Sequence, residues 1–155
     1  MLFLLILNTI LLLLSTTGVA YVAYHIYTTT QTQKDADLYE RRLNVYREIV
    51  RFLSVISRDG DISRHDLLEY RSKTQESAFL FDKVVADYIE KIHSQAVKLR
   101  STNDLLKSAD LPIGEERDSI TVENSKQLIW LADQLPLLKK KFDPYLRSDE
   151  GRHDM

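Results

Sequence analysis

The chain has no cysteine, which excludes a disulfide framework, thiolate metal ligands and a cysteine nucleophile. Its 155 residues include only four Gly and three Pro, too few to punctuate a protein of strands and tight turns. Charge is missing from one region. Residues 2–33 contain no Asp, Glu, Lys or Arg, so all 21 basic and 23 acidic side chains lie from Lys34 onward. Beyond that point the signs almost balance, which argues against a nucleic-acid partner and against a polybasic lipid-binding arm. The length has room for one domain beside the uncharged N-terminal stretch.

That stretch opens with Leu2-Phe3-Leu4-Leu5-Ile6-Leu7, stays apolar through Leu14, and resumes from Val19 to Tyr27. As a helix rising ~1.5 Å per residue it exceeds the ~30 Å hydrocarbon core, so residues 1–27 are expected to be a transmembrane anchor with the lipid bilayer as partner. Tyr21, Tyr24 and Tyr27 read as a membrane-interface belt. Gly18-Val19-Ala20 has the small residues of a signal-peptidase site. No basic side chain precedes the run, however, and its apolar character continues seven residues further. Lys34, Arg41, Arg42 and Arg47 come after the run, so the positive-inside rule places the C-terminal part in the cytoplasm of a bacterial inner-membrane, single-pass protein. Asn8, Thr9, Ser15 and Thr16 share a ~120° arc with Gly18 beside it, the residue types that helix association in lipid uses. The same polar arc suits the lining of an oligomeric pore.

Residues 28–34 are expected to be a polar connector, 35–147 a helical bundle and 148–155 a disordered tail. The fold class expected is therefore all-α, a transmembrane helix followed by a four-helix antiparallel bundle. The first bundle helix, over 35–58, places Leu38, Leu43, Val45, Tyr46, Ile49, Val50, Phe52, Leu53 and Ile56 on one half of its wheel. Arg41, Arg47, Glu48, Arg51 and Arg58 fill the other half, and Arg42 intrudes on the apolar one. Gly60 is a natural left-handed cap. Ser63 with Asp66, and Ile62 with Leu67, form a capping box and a hydrophobic staple. Ala78-Phe79-Leu80-Phe81 reads as an apolar knot buried between helices, with Asp82 capping the next one. On the helix over 83–107, Val84, Val85, Tyr88, Ile89, Ile92, Ala96 and Leu99 make the core stripe. The last helix runs from Glu115 toward Leu146, with Pro136 forcing a kink or break. Its main stripe is Ile120, Leu128, Leu131, Leu135, Leu138 and Phe142. A second apolar line, Val122, Ile129, Trp130 and Leu137, lies on the far side. A helix apolar on two sides packs between two partners, which makes that line the candidate subunit interface of a homo-oligomer.

Motifs of catalysis are absent: there is no Gly-x-Ser-x-Gly elbow, P-loop or dinucleotide fingerprint, and no His-x-x-x-His pair. Neither a cofactor nor a metal is implied. Asp59-Gly60-Asp61 resembles half of a calcium loop, but Val55 stands where the first ligand belongs. Arg58 and His65 match the Arg-x4–6-His spacing of HEPN ribonucleases, in which the Arg would hold phosphate charge and the His move a proton. As a helix C-terminal cation and a first-turn residue, the same two side chains need no catalytic role.

Arg42-Leu43-x-Val45-Tyr46, Arg58-Asp59-Gly60-Asp61-Ile62-Ser63, Asp66-Leu67-Leu68, Phe79-Leu80-Phe81 and Asp87-Tyr88-Ile89 resemble a group of small bacterial single-pass membrane proteins with a cytoplasmic helical domain. Trp130-Leu131 and Gln134-Leu135-Pro136 fit the same pattern. The group implies an architecture and no activity. In layout the chain is also similar to the membrane-anchored HEPN-like accessory protein of type VI-B CRISPR systems. The functional expectation is a membrane-anchored, self-associating protein without enzymatic activity. Its alternatives are an antiviral pore-forming effector and a membrane-tethered HEPN-type ribonuclease.

Overall fold

The computed structural model describes residues 1–109 and 112–147, with the backbone alone for residues 2–15 and 26–33. Among these the chain is all-helical and contains no strand. Its helices are α1 (Leu2–Asp59), α2 (Arg64–Thr74), α3 (Ser77–Leu80), α4 (Lys83–Lys107) and α5 (Glu115–Leu146). The chain divides into two compact units, Met1–Leu38 and Tyr39–Met155.

The first unit corrects the expected fold class. Among the described residues, no helix is long and apolar enough to cross a membrane. The polar stretch over 28–34, expected as a connector that continues the helix, belongs to α1. Thr16, Gly18, Tyr21 and Tyr24 are exposed, and the Tyr21 and His25 rings lie 6.3 Å apart. The side chains of Asn8, Thr9, Ser15 and Tyr27 lie outside the described residues.

The second unit is a helical bundle whose boundaries follow local chemistry. At the end of α1, Gly60 turns the chain with φ +65°, donating its N–H to the Ile56 carbonyl at 2.9 Å. That left-handed conformation favours glycine. Ser63 then starts α2 by accepting the Asp66 N–H at 3.0 Å, while Ile62 and Leu67 are both buried as the staple requires. Asp82 caps α4 by accepting the Val85 N–H at 2.9 Å. Helix α5 continues through Pro136 and Pro144. Pro136 is itself exposed, and the helix is not broken there, contrary to one of the two expectations.

The core of this unit is built by Val45, Ile49, Phe52, Leu53 and Ile56 of α1, Tyr70 of α2, Ile89, Ile92, Ala96 and Leu99 of α4, and Leu131, Leu138 and Phe142 of α5. Phe142 anchors one end. Its ring lies 5.6 Å from Tyr46 and meets Phe81 edge-on at 5.2 Å. At the other end, Tyr70 packs 4.2 Å from Phe52, donates its hydroxyl to the Ile89 carbonyl at 3.0 Å and stacks on His93.

Two apolar expectations need correcting. The knot at 78–81 divides: Leu80 and Phe81 are buried, whereas Phe79 is 89% exposed, because α3 is one short turn and shows only one side to its neighbours. Val84 is likewise exposed; it sits in the first turn of α4, beyond the reach of the stripe that begins at Val85.

Candidate interaction surface and charged cluster

Helix α5 is held inward along one line and leaves the opposite line open. The inward line alternates Gln127, Leu131, Gln134, Leu138 and Phe142, all buried. Both amides are satisfied. Gln127 donates to Glu123 at 2.9 Å and accepts from Thr102 at 3.2 Å. Gln134 donates to the Trp130 carbonyl at 2.7 Å and accepts the Tyr88 hydroxyl at 3.2 Å. These contacts fix the rotation of α5 about its axis. Tyr88 is pushed up to about 12 by burial, so its hydroxyl stays a donor.

With that rotation set, Val122, Ile129 and Leu137 point outward and are 53%, 61% and 45% exposed. Trp130 lies half-buried at the edge of the line, with the Lys91 ammonium 5.1 Å over its ring. Lys126 and Asp133 are exposed on the same face. The candidate subunit-interface residues therefore do share one surface, which the rest of the described chain leaves uncovered.

The other polar concentration joins α1 to α2. The Glu48 side chain is only 4% exposed, although its wheel position placed it on the solvent half of α1. It accepts from Arg51 Nη2 at 2.6 Å and Lys73 Nζ at 3.2 Å. Arg51 also donates to Asp66 at 3.2 Å and Glu69 at 2.9 Å. Hydrogen bonding to Glu48 raises the Arg51 guanidinium well above its ordinary range. The Ser63 hydroxyl, followed by Arg51, holds the Asp66 carboxyl below its usual value. Every carboxylate facing this cluster has a cationic or hydroxyl partner, so the arrangement pins two helices together and leaves no reactive group unpaired.

Beside it stand the two weak catalytic candidates. The Arg58 guanidinium is clamped on its neighbour Asp59, donating at 2.8 and 2.9 Å. His65 is exposed in the first turn of α2, and no hydrogen bond links it to Arg58. A phosphate-binding Arg would need those donors free. The Glu90-x-x-His93 pair on α4, overlooked among the sequence motifs, has a spacing that metal sites use. Here Glu90 is paired with Arg71, and burial lowers the His93 imidazole below its ordinary value. Among the described residues no group of three His, Asp or Glu could hold a metal ion.

A third network locks the α1–α2 turn to α4 and α5. Asn103 donates to Asp61 at 2.8 Å and to the Gly60 carbonyl at 3.2 Å. Asn124 donates to Asn103 at 2.7 Å, and Arg100 to the Ile62 carbonyl at 2.9 Å. Burial alone would raise the Asp61 carboxyl, but bonds from Lys107, the Ile62 N–H and Asn103 outweigh it and hold it low. Arg42, the intruder on the apolar half of α1, is also accounted for. It donates to the Leu80 carbonyl at 2.8 Å and lies over the Tyr145 ring, ends of two elements that only the folded chain brings to it.

A shallow, open depression of about 430 Å³ lies on α4, lined by Val97, Arg100, Ser101, Asp104 and Leu105. It has neither the enclosure nor the convergent polar groups of a substrate site. No protein-family model, curated protein or solved structure matches the chain.

Proposed function

We propose that this chain is a non-enzymatic helical protein that works by self-association, with the outer face of α5 as the surface through which copies meet. The observation that carries the reading is the line Val122, Ile129 and Leu137, each about half-exposed on a helix whose opposite side is fully packed. An apolar line at heptad-like spacing beside a half-buried Trp has the composition of an interface centre. The charged groups of the α1–α2 cluster are paired with one another, and the depression on α4 is open, which favours binding over chemistry.

The test is the mass of the full chain in mild detergent by size-exclusion chromatography with light scattering. The expected result is a species at a multiple of 18.1 kDa, shifted to the monomer by Ile129→Asp. A wild-type monomer at micromolar concentration refutes the reading. We extend the proposal to association with the bacterial inner membrane, on composition alone. Residues 2–33 carry no charged side chain. Recovery of the expressed protein in the high-speed supernatant, with nothing in the membrane pellet, overturns that part.

A further inference from the structure

The outer face of α5 is its own complement when reversed. Taken about a point between Ile129 and Trp130, Val122 falls opposite Leu137, Lys126 opposite Asp133, and Ile129 opposite Trp130. Ser119 and Lys140, both exposed, continue the pattern outward. Every pair is equidistant from the same centre, and on a helix of ~100° per residue the six central positions share a ~100° arc. Lys126 and Asp133 make no ion pair within the chain among the described residues.

We propose that two copies of this chain pair antiparallel along α5, in an isologous dimer whose twofold axis passes between Ile129 and Trp130. The inference rests on the self-association reading and specifies its partner, direction and register. A twofold axis brings each patch against itself, so residue i meets j and j meets i. Antiparallel pairing places Lys126 of each copy against Asp133 of the other, giving two attractive contacts that flank an apolar centre of Ile129 and Trp130. Val122 against Leu137 closes each end. The parallel alternative sets Lys126 against Lys126 and Asp133 against Asp133, so the same charges that favour one direction oppose the other. A shallow crossing of about 20° keeps this line in contact for roughly 22 Å.

Because the natural chain has no cysteine, single introduced thiols report the register directly. Full-length V122C and L137C are mixed in mild detergent and treated with a short bis-maleimide. The expected result is a covalent V122C–L137C dimer in the mixture and none from either variant alone, since like positions lie about 22 Å apart in the antiparallel pair. Charge reversal supplies the second arm. K126E and D133K each turn two attractive contacts into two repulsive ones and are expected to raise the dimer dissociation constant about tenfold, whereas K126E/D133K together return it to the wild-type value. Cross-linking of V122C to itself, or single reversals without effect on a dimer that Ile129→Asp does dissociate, overturns the antiparallel register while leaving self-association through α5 standing. A wild-type chain that is monomeric by light scattering removes the self-association reading itself.

Discussion

Arg51→Ala should be among the most damaging changes outside the apolar core, although more than a third of that side chain faces water. The reason is Glu48, whose carboxylate is almost entirely enclosed and depends on Arg51 for its shortest hydrogen bond, at 2.6 Å. Removing the guanidinium leaves Glu48 with Lys73 alone, at 3.2 Å and half exposed. A net charge-assisted hydrogen bond contributes ~1.5–3 kcal/mol, and stripping a buried charge of its partner costs ~3–5 kcal/mol. Arg51 is partly solvated and Lys73 partly compensates, so the lower end applies. The expected loss is about 2.5 kcal/mol, near 10 °C in melting temperature for a domain of this size. Glu48→Met removes the buried charge together with its need for a partner, and should cost under about 1 kcal/mol because an apolar isostere of similar volume fills the site. The double variant should then be more stable than Arg51→Ala alone. Urea unfolding at pH 7 followed by circular dichroism measures all three. An Arg51→Ala variant within about 0.5 kcal/mol of wild type, or a double variant whose loss equals the sum of the singles, would refute the dependence of Glu48 on Arg51.

Phe142→Ala, which empties the space between Tyr46 and Phe81, should cost about 3–5 kcal/mol in the same assay. Gly60→Ala should cost about 1 kcal/mol. A Cβ there meets only the Leu128 side chain at an ordinary 3.9 Å, so the loss comes from the left-handed backbone, and Gly60→Asn should recover part of it. Stability should also depend on pH in two windows. His93 has a folded value below its unfolded one near 6.5, because burial disfavours the imidazolium. The unfolded chain therefore takes up the proton first, and stability present above about pH 6.5 falls as the pH drops below it. Asp61, Asp66 and Glu69 are held low by their partners; their contribution is present above about pH 4 and is lost as the pH falls further. His93→Gln should flatten the fall of the urea midpoint just below about pH 6.5 while leaving the acid limb below pH 4 unchanged. A slope unaltered in the upper window would show that another group titrates there.

Helical class and most helix boundaries were legible because they depend on near neighbours in the chain. Gly60, Ser63 with Asp66, and Asp82 each act within four residues, and each does in the fold what its spacing implied. On α5 a period of 3.6 residues gave Leu131, Leu138 and Phe142 of the inward line and the outward Val122, Ile129 and Leu137, but not the buried Gln127 and Gln134, whose burial depends on the partners they meet on α4. Periodicity gave no warning of Glu48. It sits on the polar half of the wheel, and its burial depends on where α2 lands, a placement in which Lys73 takes part from 25 positions away. Phe79 failed for the converse reason: hydrophobicity favours burial, but a single-turn helix cannot bury both of its sides.

The expectation of a membrane-crossing anchor came from reading apolar residues by number, and among the described residues no helix is long and apolar enough to meet it. What the amino-acid order determined alone is local: which segments coil, where they stop, and which side of each is apolar. What the tertiary structure decided is which polar groups meet. Arg42 finds the Leu80 carbonyl and Asn103 finds Asp61 across about 40 positions. Contacts between groups so distant in the chain depend on how whole helices dock, and no short-range pattern encodes that.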